Sequence, residues 1–481
     1  MKRETKIILA LFFIAFVIRV IFAFHNPLLI WDETVYANLG YDLSKNPLHY
    51  SLEGAGWSDF IPSKGEIYAW PNIGFRAPLL PYTLAIFYSL NLEFLIRFFM
   101  PLIGALSVVL IYFLGRKLFN KEVALYSSIF LMLLPLHTLQ SGMVLTDVYT
   151  TFFLLLTFIC FWKGFEEKNN KFKVLFGVFF ALSLLSRYTA LWFIPVFFLY
   201  FLIRDKSIKF LKDKYLWYSI LVFFIILIPL FIYSQITYGN VLGAFIHGGI
   251  ASFYWGGSQK LLFFFEYHWK MFSILGIGFL LSLFIIFKKK AFARKEVYLL
   301  LLWGIVFLIF ASIMPHKEER FILPFVPAMC LLCGFALSLL KRYKKQILVV
   351  LILILIIANG IQFYDYAHKF YNGTTKCFGE ANNYINSLSG DFLIIADESS
   401  INYYYTHQSA RFYPNPWSMD ALTRSVESTN NQNNTYIFFT DYDMPLYDEE
   451  HIQIRNDLEN NFEKVFECDK DWGLSSIYVY S

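Results

Sequence analysis

Two adjacent carboxylates, Asp32 and Glu33, stand in the stretch HNPLLIWDETVYANLGY just past the first long apolar run of the chain. A carboxylate there can take a proton from a hydroxyl group. It is also the residue type that caps a helix or sits favourably at a helix N-terminus. Asp147, in GMVLTDVYTT, opens another apolar run, and the same two readings apply. Its depth among apolar residues favours function, because acids inside membrane segments are expensive to keep. Two cationic positions accompany these acids. Arg187 lies in LLSRYTALW, between two short apolar runs, and His316, Lys317, Glu318, Glu319 and Arg320 lie in MPHKEERFILP. Their plainer reading is a surface ion pair or an interfacial anchor. Taken together, a base and a cationic clamp suit transfer from a lipid-phosphate donor. The carboxylate takes the proton of an acceptor hydroxyl, and the cations stabilise charge building on the departing phosphate. A lipid monophosphate leaves as a stable anion without a general acid. It needs no metal if Arg, Lys and His neutralise it.

The elements that must position these groups are set by the composition. The chain has 481 residues, 57% hydrophobic, 20% aromatic and 16% charged, more apolar surface than a water-soluble domain can hide. Apolar runs of membrane-crossing length recur, and we read about eleven spanning helices. They fall near 6–24, 94–115, 122–141, 147–163, 173–186, 188–203, 215–236, 262–287, 297–314, 320–340 and 346–363. The first run carries Arg19 and is followed by no small-residue cleavage site, so it reads as a retained helix and not a signal peptide. The loops MKRETK, GRKLFNKE, KGFEEKNNKFK, RDKSIKFLKDK, KKKAFARKE and KRYKK are rich in Lys and Arg, and the alternate loops are not. That asymmetry places the N-terminus in the cytoplasm. It also makes the stretch Pro78 to Leu90 an interfacial helix, since a crossing there would invert every later loop. The net charge of +5 reflects these loops and gives no reason to expect a nucleic-acid partner.

Three regions are then outside: a first loop, 25–93, a second, glycine-rich loop, 237–261, read as mobile, and a polar tail. The expected domains are a membrane domain, 1–363, and an extracytoplasmic α/β domain, 364–481. In the tail, ANNYINSL and DALTRSVES read as helices, and FLIIAD, TYIFFTDY and SSIYVYS as strands. EEHIQIRNDLENNFEKVFE reads as one longer helix, and STNNQNNT as a loop.

Other reactive residues fit this map without adding chemistry. Cys160, Cys330 and Cys333 lie in membrane segments, and the CxxC of the last two has no flanking ligands, so packing is the expected role. Cys377 and Cys468 are the two cysteines outside, and both a disulfide and a pair of free thiols are open. The DxD at Asp441-Tyr442-Asp443 follows a strand on the side without nucleotide sugars and reads as a turn. His137, His247 and His268 are scattered and read as polar contacts. Sequons stand at Asn372-Gly373-Thr374 and Asn433-Asn434-Thr435.

The first helix followed by an outer loop opening with WDETVYA resembles the GT-C membrane glycosyltransferases, in particular the protein O-mannosyltransferase and aminoarabinose-transferase branch. PHKEERFILPFVP is similar to the HKEERF-type segment of mannosyltransferases that build lipid-linked oligosaccharides and GPI anchors. GMVLTDVYTT and LLSRYTALWFIP also resemble segments of these families, and the likeness covers roughly the first 340 residues. The resemblance implies a polytopic GT-C-like fold and an inverting, metal-independent transfer of a monosaccharide, mannose first, from a dolichyl or polyprenyl phosphate. Asp32 would be the base, Glu33 the neighbour that orients acceptor or water, and Asp147 an acid that shapes the site. Arg187, His316, Lys317, Glu319 and Arg320 would face the donor phosphate. The implied partners are the lipid-linked sugar, the bilayer and a glycan, lipid or protein acceptor, with no cofactor. The chain mixes features of two branches, which leaves the acceptor open. The competing reading is a transporter or flippase of a lipid-linked or sugar substrate, which predicts internal repeats and midplane charges. No repeat is visible, and Arg19 is the main charge away from helix ends.

Overall fold

The computed structural model describes residues 3–25, 29, 32–52, 74, 76–256, 260–340, 343–371, 374–396, 399–407, 410–412, 435–440, 449–470 and 473–480. The chain divides into two compact units. One comprises Met1–Phe24, Phe75–Leu80 and Phe94–Phe363, and the other His25–Gly74, Pro81–Glu93 and Tyr364–Ser481. The DxD at 441–443, both sequons and the DALTRSVES helix fall wholly or largely outside the described residues.

The first unit is helical. Its elements are α1 (Arg3–His25), α4 (Ile96–Leu118), α5 (Lys121–Met132), α6 (Pro135–Gln140), α7 (Thr146–Phe161), α8 (Asn170–Ser186), α9 (Ile194–Asp205) and α10 (Lys214–Tyr238). After these come α11 (Gly243–Gly256), α12 (Phe263–Glu266), α13 (His268–Phe272), α14 (Ile274–Lys288), α15 (Lys295–Ile313), α16 (Val326–Leu339) and α17 (Lys344–Tyr371). Among the described residues, eight helices are long and apolar enough to cross a membrane: Arg3–His25, Glu93–Leu118, Thr146–Glu166, Tyr188–Asp205, Lys214–Tyr238, Lys295–Ile313, Glu319–Leu339 and Lys344–Asp365. The three other sequence-predicted spans are also helical but shorter. The span read at 122–141 breaks between α5 and α6 at Leu133 and Leu134, the span at 173–186 is α8, and the span at 262–287 is divided among α12, α13 and α14.

Local sequence explains these ends. Asn120 caps α5, its side chain accepting from the N–H groups of Glu122 and Val123 at 2.9 and 3.0 Å. Gly239 ends α10 in the left-handed region, at φ 65°, where glycine carries no steric penalty. The centre is aromatic. Trp303 of α15 stacks on Phe158 of α7 at 3.6 Å, and its indole N–H donates to the Pro324 carbonyl at 2.7 Å. Helix α16 is almost wholly buried, whereas the apolar window of α17 is almost wholly exposed. Val349, Val350, Leu353, Ile356 and Ile357 face outward there, which is stable in hydrocarbon and costly in water.

One expectation for this unit is corrected. The outer segment read as a mobile glycine-rich loop at 237–261 is α-helical over Gly243–Gly256. Only one of the segment's glycines, Gly239, precedes the helix, and Ala244, Phe245, Ile246, Ile250 and Ala251 supply ordinary helix-compatible apolar positions within it.

The second unit contains α2 (Asp32–Lys45), the last residues of α3 (Leu79–Ser89), α18 (Thr374–Ser387), β1 (Leu393–Ala396), α19 (Ser399–Thr406), β2 (Ala410–Phe412), β3 (Thr435–Thr440), α20 (Glu449–Asn461), β4 (Glu463–Lys470) and β5 (Gly473–Tyr480). The strands form a five-stranded sheet in the order β2-β1-β3-β5-β4. β1 is parallel to β2 and β3, while β5 is antiparallel to β3 and β4. Phe378 and Ile385 of α18 close a core with Ile394, Phe438 and Ile477 from the sheet. A disulfide joins Cys377 of α18 to Cys468 of β4, with Cα atoms 5.3 Å apart. The long helix expected over 449–467 is corrected: α20 ends at Asn461, and Glu463–Lys470 is a strand.

Candidate functional site

In the helical unit the sequence-selected charges gather at helix ends. Asp147 is in the first turn of α7, with a side chain 1% exposed. Arg187 is the residue at which α8 stops: its backbone is extended, its N–H returns to the Ser183 carbonyl, and a short 3-10 stretch follows. That turn brings Arg187 Nη1 within 2.5 Å of Asp147 Oδ1. The segment between α15 and α16 supplies the opposite wall. Arg320 presents Nε and Nη2 to the two oxygens of Glu318 at 2.6 and 2.9 Å, and its Nε is 4.0 Å from Asp147 Oδ2. His316 Nε2 lies 2.9 Å from Glu318 Oε1. Asp147 is therefore set between two guanidinium groups.

Phe321 is the aromatic centre of the cluster. The Arg187 guanidinium lies 4.1 Å from its ring centroid, that of Arg320 5.6 Å, and the His316 ring 5.3 Å. A ring face held against two cations fixes their planes while leaving their edges available as donors. Among the described residues the Arg187 guanidinium uses a single N–H, toward Asp147, and an oxyanion fits the donors that remain.

The other members of the segment divide. Lys317 is 4% exposed, and burial lowers its pKa. Glu319 does not join Arg320; it pairs with Lys270 of α13, at 2.6 Å. The carboxylate that holds Arg320 is its neighbour Glu318, to which sequence reasoning gave no separate role. Phe321 and Lys270 were not singled out either. The signal for Phe321 was its place directly after Arg320 in HKEERF, while nothing in the sequence links Lys270 to Glu319. Of the scattered histidines, His247 stacks on Tyr238 at 4.4 Å, His268 lies 2.6 Å from the Phe265 carbonyl, and His137 contacts Arg19.

In the second unit Asp32 and Glu33 are the first two residues of α2, where the positive end of the helix favours acids. Asp32 is partly exposed and Glu33 is buried. The body of α2 is buried from Glu33 to Gly40 and is anchored on α19. Thr34 Oγ1 lies 3.1 Å from Ser400 Oγ, and Asn38 Nδ2 donates to the Ser400 carbonyl at 2.7 Å. Tyr403 donates to Asp42 Oδ1 at 2.9 Å. Burial raises the Asp42 pKa, opposed by the Tyr403 bond and by Lys45 and His49. His407 stacks on Tyr41 at 4.6 Å, and burial lowers its pKa. The segment SINYYYTH in the tail thus supports the helix that begins with Asp32.

Comparison with known proteins adds three findings. The family described as dolichyl-phosphate-mannose-protein mannosyltransferase matches residues 75–233. A protein of Aquifex aeolicus (strain VF5), itself uncharacterized, is 30% identical over 273 residues, 55% of this chain and 53% of that protein. The chain therefore spans about half the length of that relative. Among solved structures, ArnT from Cupriavidus metallidurans bound to undecaprenyl phosphate superposes with a TM-score of 0.70 at 14% identity, covering 98% of this chain and 97% of that one. The archaeal oligosaccharyltransferase AglB from Archaeoglobus fulgidus, in complex with an inhibitory peptide and a dolichol-phosphate, gives 0.61 at 14% identity over 91% and 70%. Both are GT-C glycosyltransferases, and the fold of this chain is the GT-C membrane fold: a multi-pass helical body with a small C-terminal sheet.

Proposed function

We propose that the chain is a membrane glycosyltransferase that moves a monosaccharide, mannose first, from a polyprenyl-phosphate donor to an acceptor hydroxyl outside the cytoplasm. The observation that carries this reading is the arginine pair, Arg187 and Arg320, arranged around Asp147 and Phe321 at the ends of apolar helices. The match to the mannosyltransferase family over residues 75–233 supports the sugar. The lipid phosphates named for ArnT and AglB support the donor class.

In the proposed reaction Asp32 accepts the acceptor's proton as its oxygen attacks the anomeric carbon. The bond from that carbon to the phosphate oxygen breaks, and its electron pair leaves with the lipid phosphate. A single displacement of this kind inverts the anomeric centre. Arg187 and Arg320 bind the phosphate oxygens, stabilising a charge that grows in the transition state. Asp147 keeps Arg187 oriented, and Glu318 does the same for Arg320. Glu33 orients the acceptor or a water. Lys317 adds positive potential around the leaving phosphate, His316 presents a ring nitrogen beside it, and Glu319 acts through Lys270. No divalent ion is required in this scheme.

The test is transfer of labelled mannose from polyprenyl-phosphate mannose by the purified protein, with envelope lipids and proteins as acceptors. Label reaching a product, lost in Asp32→Asn and reduced through donor KM in Arg320→Ala, is the expected result. Full turnover by Asp32→Asn removes Asp32 as the base. An inactive protein with a full panel of polyprenyl-phosphate sugars removes the transferase reading.

A further inference from the structure

We propose that Arg19, in the middle of α1, is a positioning residue for the Asp147 cluster, acting through the break between α5 and α6. The inference rests on the transferase reading for its kinetic arm only.

Arg19 neither reaches a membrane surface nor pairs with an acid: it is fully buried, and among the described residues no carboxylate meets it. All five of its N–H donors are used. Nε donates to Ser141 Oγ at 3.2 Å. Nη1 donates to the carbonyls of Ala15 and Met132 at 3.0 and 3.5 Å. Nη2 donates to the Leu131 carbonyl at 3.3 Å and lies 2.8 Å from His137 Nδ1. Since a guanidinium only donates, Nδ1 of His137 must accept, which fixes the neutral tautomer with its proton on Nε2.

Leu131 and Met132 are the end of α5, where carbonyls lose their helical partners and carry the negative end of the helix. Arg19 caps them. Two further side chains serve the same break: Thr138 Oγ1 is 3.3 Å from the Met132 carbonyl, and Asn359 Nδ2 of α17 donates to that of Leu133 at 2.6 Å. Irregular backbone among membrane helices persists only where its polar groups are satisfied. Here three elements converge to satisfy it.

The packing is shaped for the same purpose. A Cβ at Gly104 of α4 would lie 2.8 Å from Arg19 Cδ, and one at Gly142 would lie 3.0 Å from the Ala23 nitrogen. Gly104 leaves room for the side chains of Arg19 and Ser141, and Gly142 for the backbone of α1, where a Cβ would crowd them.

The break matters because of what it carries. Helix α6 packs on the segment Glu319–Phe325 and on α13, the two elements that hold the Arg320 side of the cluster and Lys270. The turn after Ser141 runs directly into α7 and Asp147. A guanidinium that binds α5, His137 and Ser141 together therefore fixes the start of α7 relative to the 319–325 segment. A residue needed only for packing would be met by an apolar side chain.

The experiment uses the full-length protein in detergent, with Arg19→Gln and Arg19→Lys followed by amide hydrogen exchange and by donor kinetics. The expected result for Arg19→Gln is faster exchange confined to residues 133–147 and 316–325, with transfer per folded molecule down about tenfold or more. Arg19→Lys, which keeps the charge and some donors, should lie between the two. Should Arg19→Gln fail to accumulate, Ser141→Ala removes the acceptor of Arg19 Nε and Thr138→Val a hydroxyl that serves the same break, and both should give the same localised exchange. Uniform loosening with normal turnover per folded molecule would reduce Arg19 to a stabilising residue and overturn the proposal. So would unchanged exchange at 133–147 in all variants. The exchange arm decides this even if the wild-type protein transfers no mannose.

Discussion

Arg187 shows how much of a site's geometry depends on one side chain's shape. Its plane lies against Phe321 while one edge binds Asp147. A lysine would keep the charge but lose the planar stack and the fork. Arg187→Lys is expected to raise donor KM roughly fivefold to thirtyfold, the range corresponding to a desolvated cation–π contact and one charged hydrogen bond. An unchanged donor KM, measured at saturating acceptor, would make this arginine structural. Asp42 yields a prediction about pH. Its pKa is raised by burial, so the folded state holds the proton more firmly than the unfolded chain does. The stability from the protonated form is complete below the ordinary carboxylate range and is lost as pH rises through the raised pKa. Asp42→Asn stays neutral and still accepts from Tyr403. It is expected to be at least as stable as the parent at neutral pH, with a flatter melting profile as pH rises out of the ordinary carboxylate range. A variant that melts lower at neutral pH with the parent's pH profile would refute this.

At the scale of elements, Cys377 and Cys468 close a loop with a sequence separation of 91, pinning α18 to the edge strand β4. Replacing both by serine is expected to cost the second unit about 2–5 kcal/mol, read as a lower melting transition of its own. Co-migration of the parent and variant transitions would show that the bridge adds nothing. These elements also mark where the sequence is legible. Asp147, Arg187 and Arg320 stand out because each interrupts or borders an apolar run. Glu318 and Glu319 could not be told apart by type. Glu318 is extended, at φ −128° and ψ 153°, and Glu319 begins the 3-10 turn, so neighbouring acids take different partners. Strand β4 was read as helix because its ladder to β5 shifts between Lys464 and Phe466, which hides the two-residue period. The α5–α6 break had a visible signal in Pro135. The break before α14 had none: Ser273 takes a φ of 51° without being glycine.

For the molecule as a whole, the bilayer is the organising solvent, and the loops decide which way the chain faces it. The helices carry large apolar residues outward on α1, α10, α14, α15 and α17, a surface that hydrocarbon must cover. The segment after α9 carries Lys206, Lys209 and Lys212, and the turn after α14 carries Lys289, Lys290 and Arg294, whereas the link between α10 and α11 has no basic residue. The positive-inside rule then predicts the first two in the cytoplasm and the third outside. That orientation would also put the turn at Arg187 and the 316–320 segment outside, because each lies one crossing away from a basic loop. The expected outcome is concrete. In intact cells, a membrane-impermeant maleimide should label Asn240→Cys and leave Ser207→Cys unlabelled until the membrane is opened. The native thiols at Cys160, Cys330 and Cys333 are buried and should contribute little background. Labelling of Ser207→Cys in intact cells would turn the chain over. It would move the arginine pair to the cytoplasmic face and require a donor presented there, which would sink the proposed outer-face transfer while leaving the fold untouched.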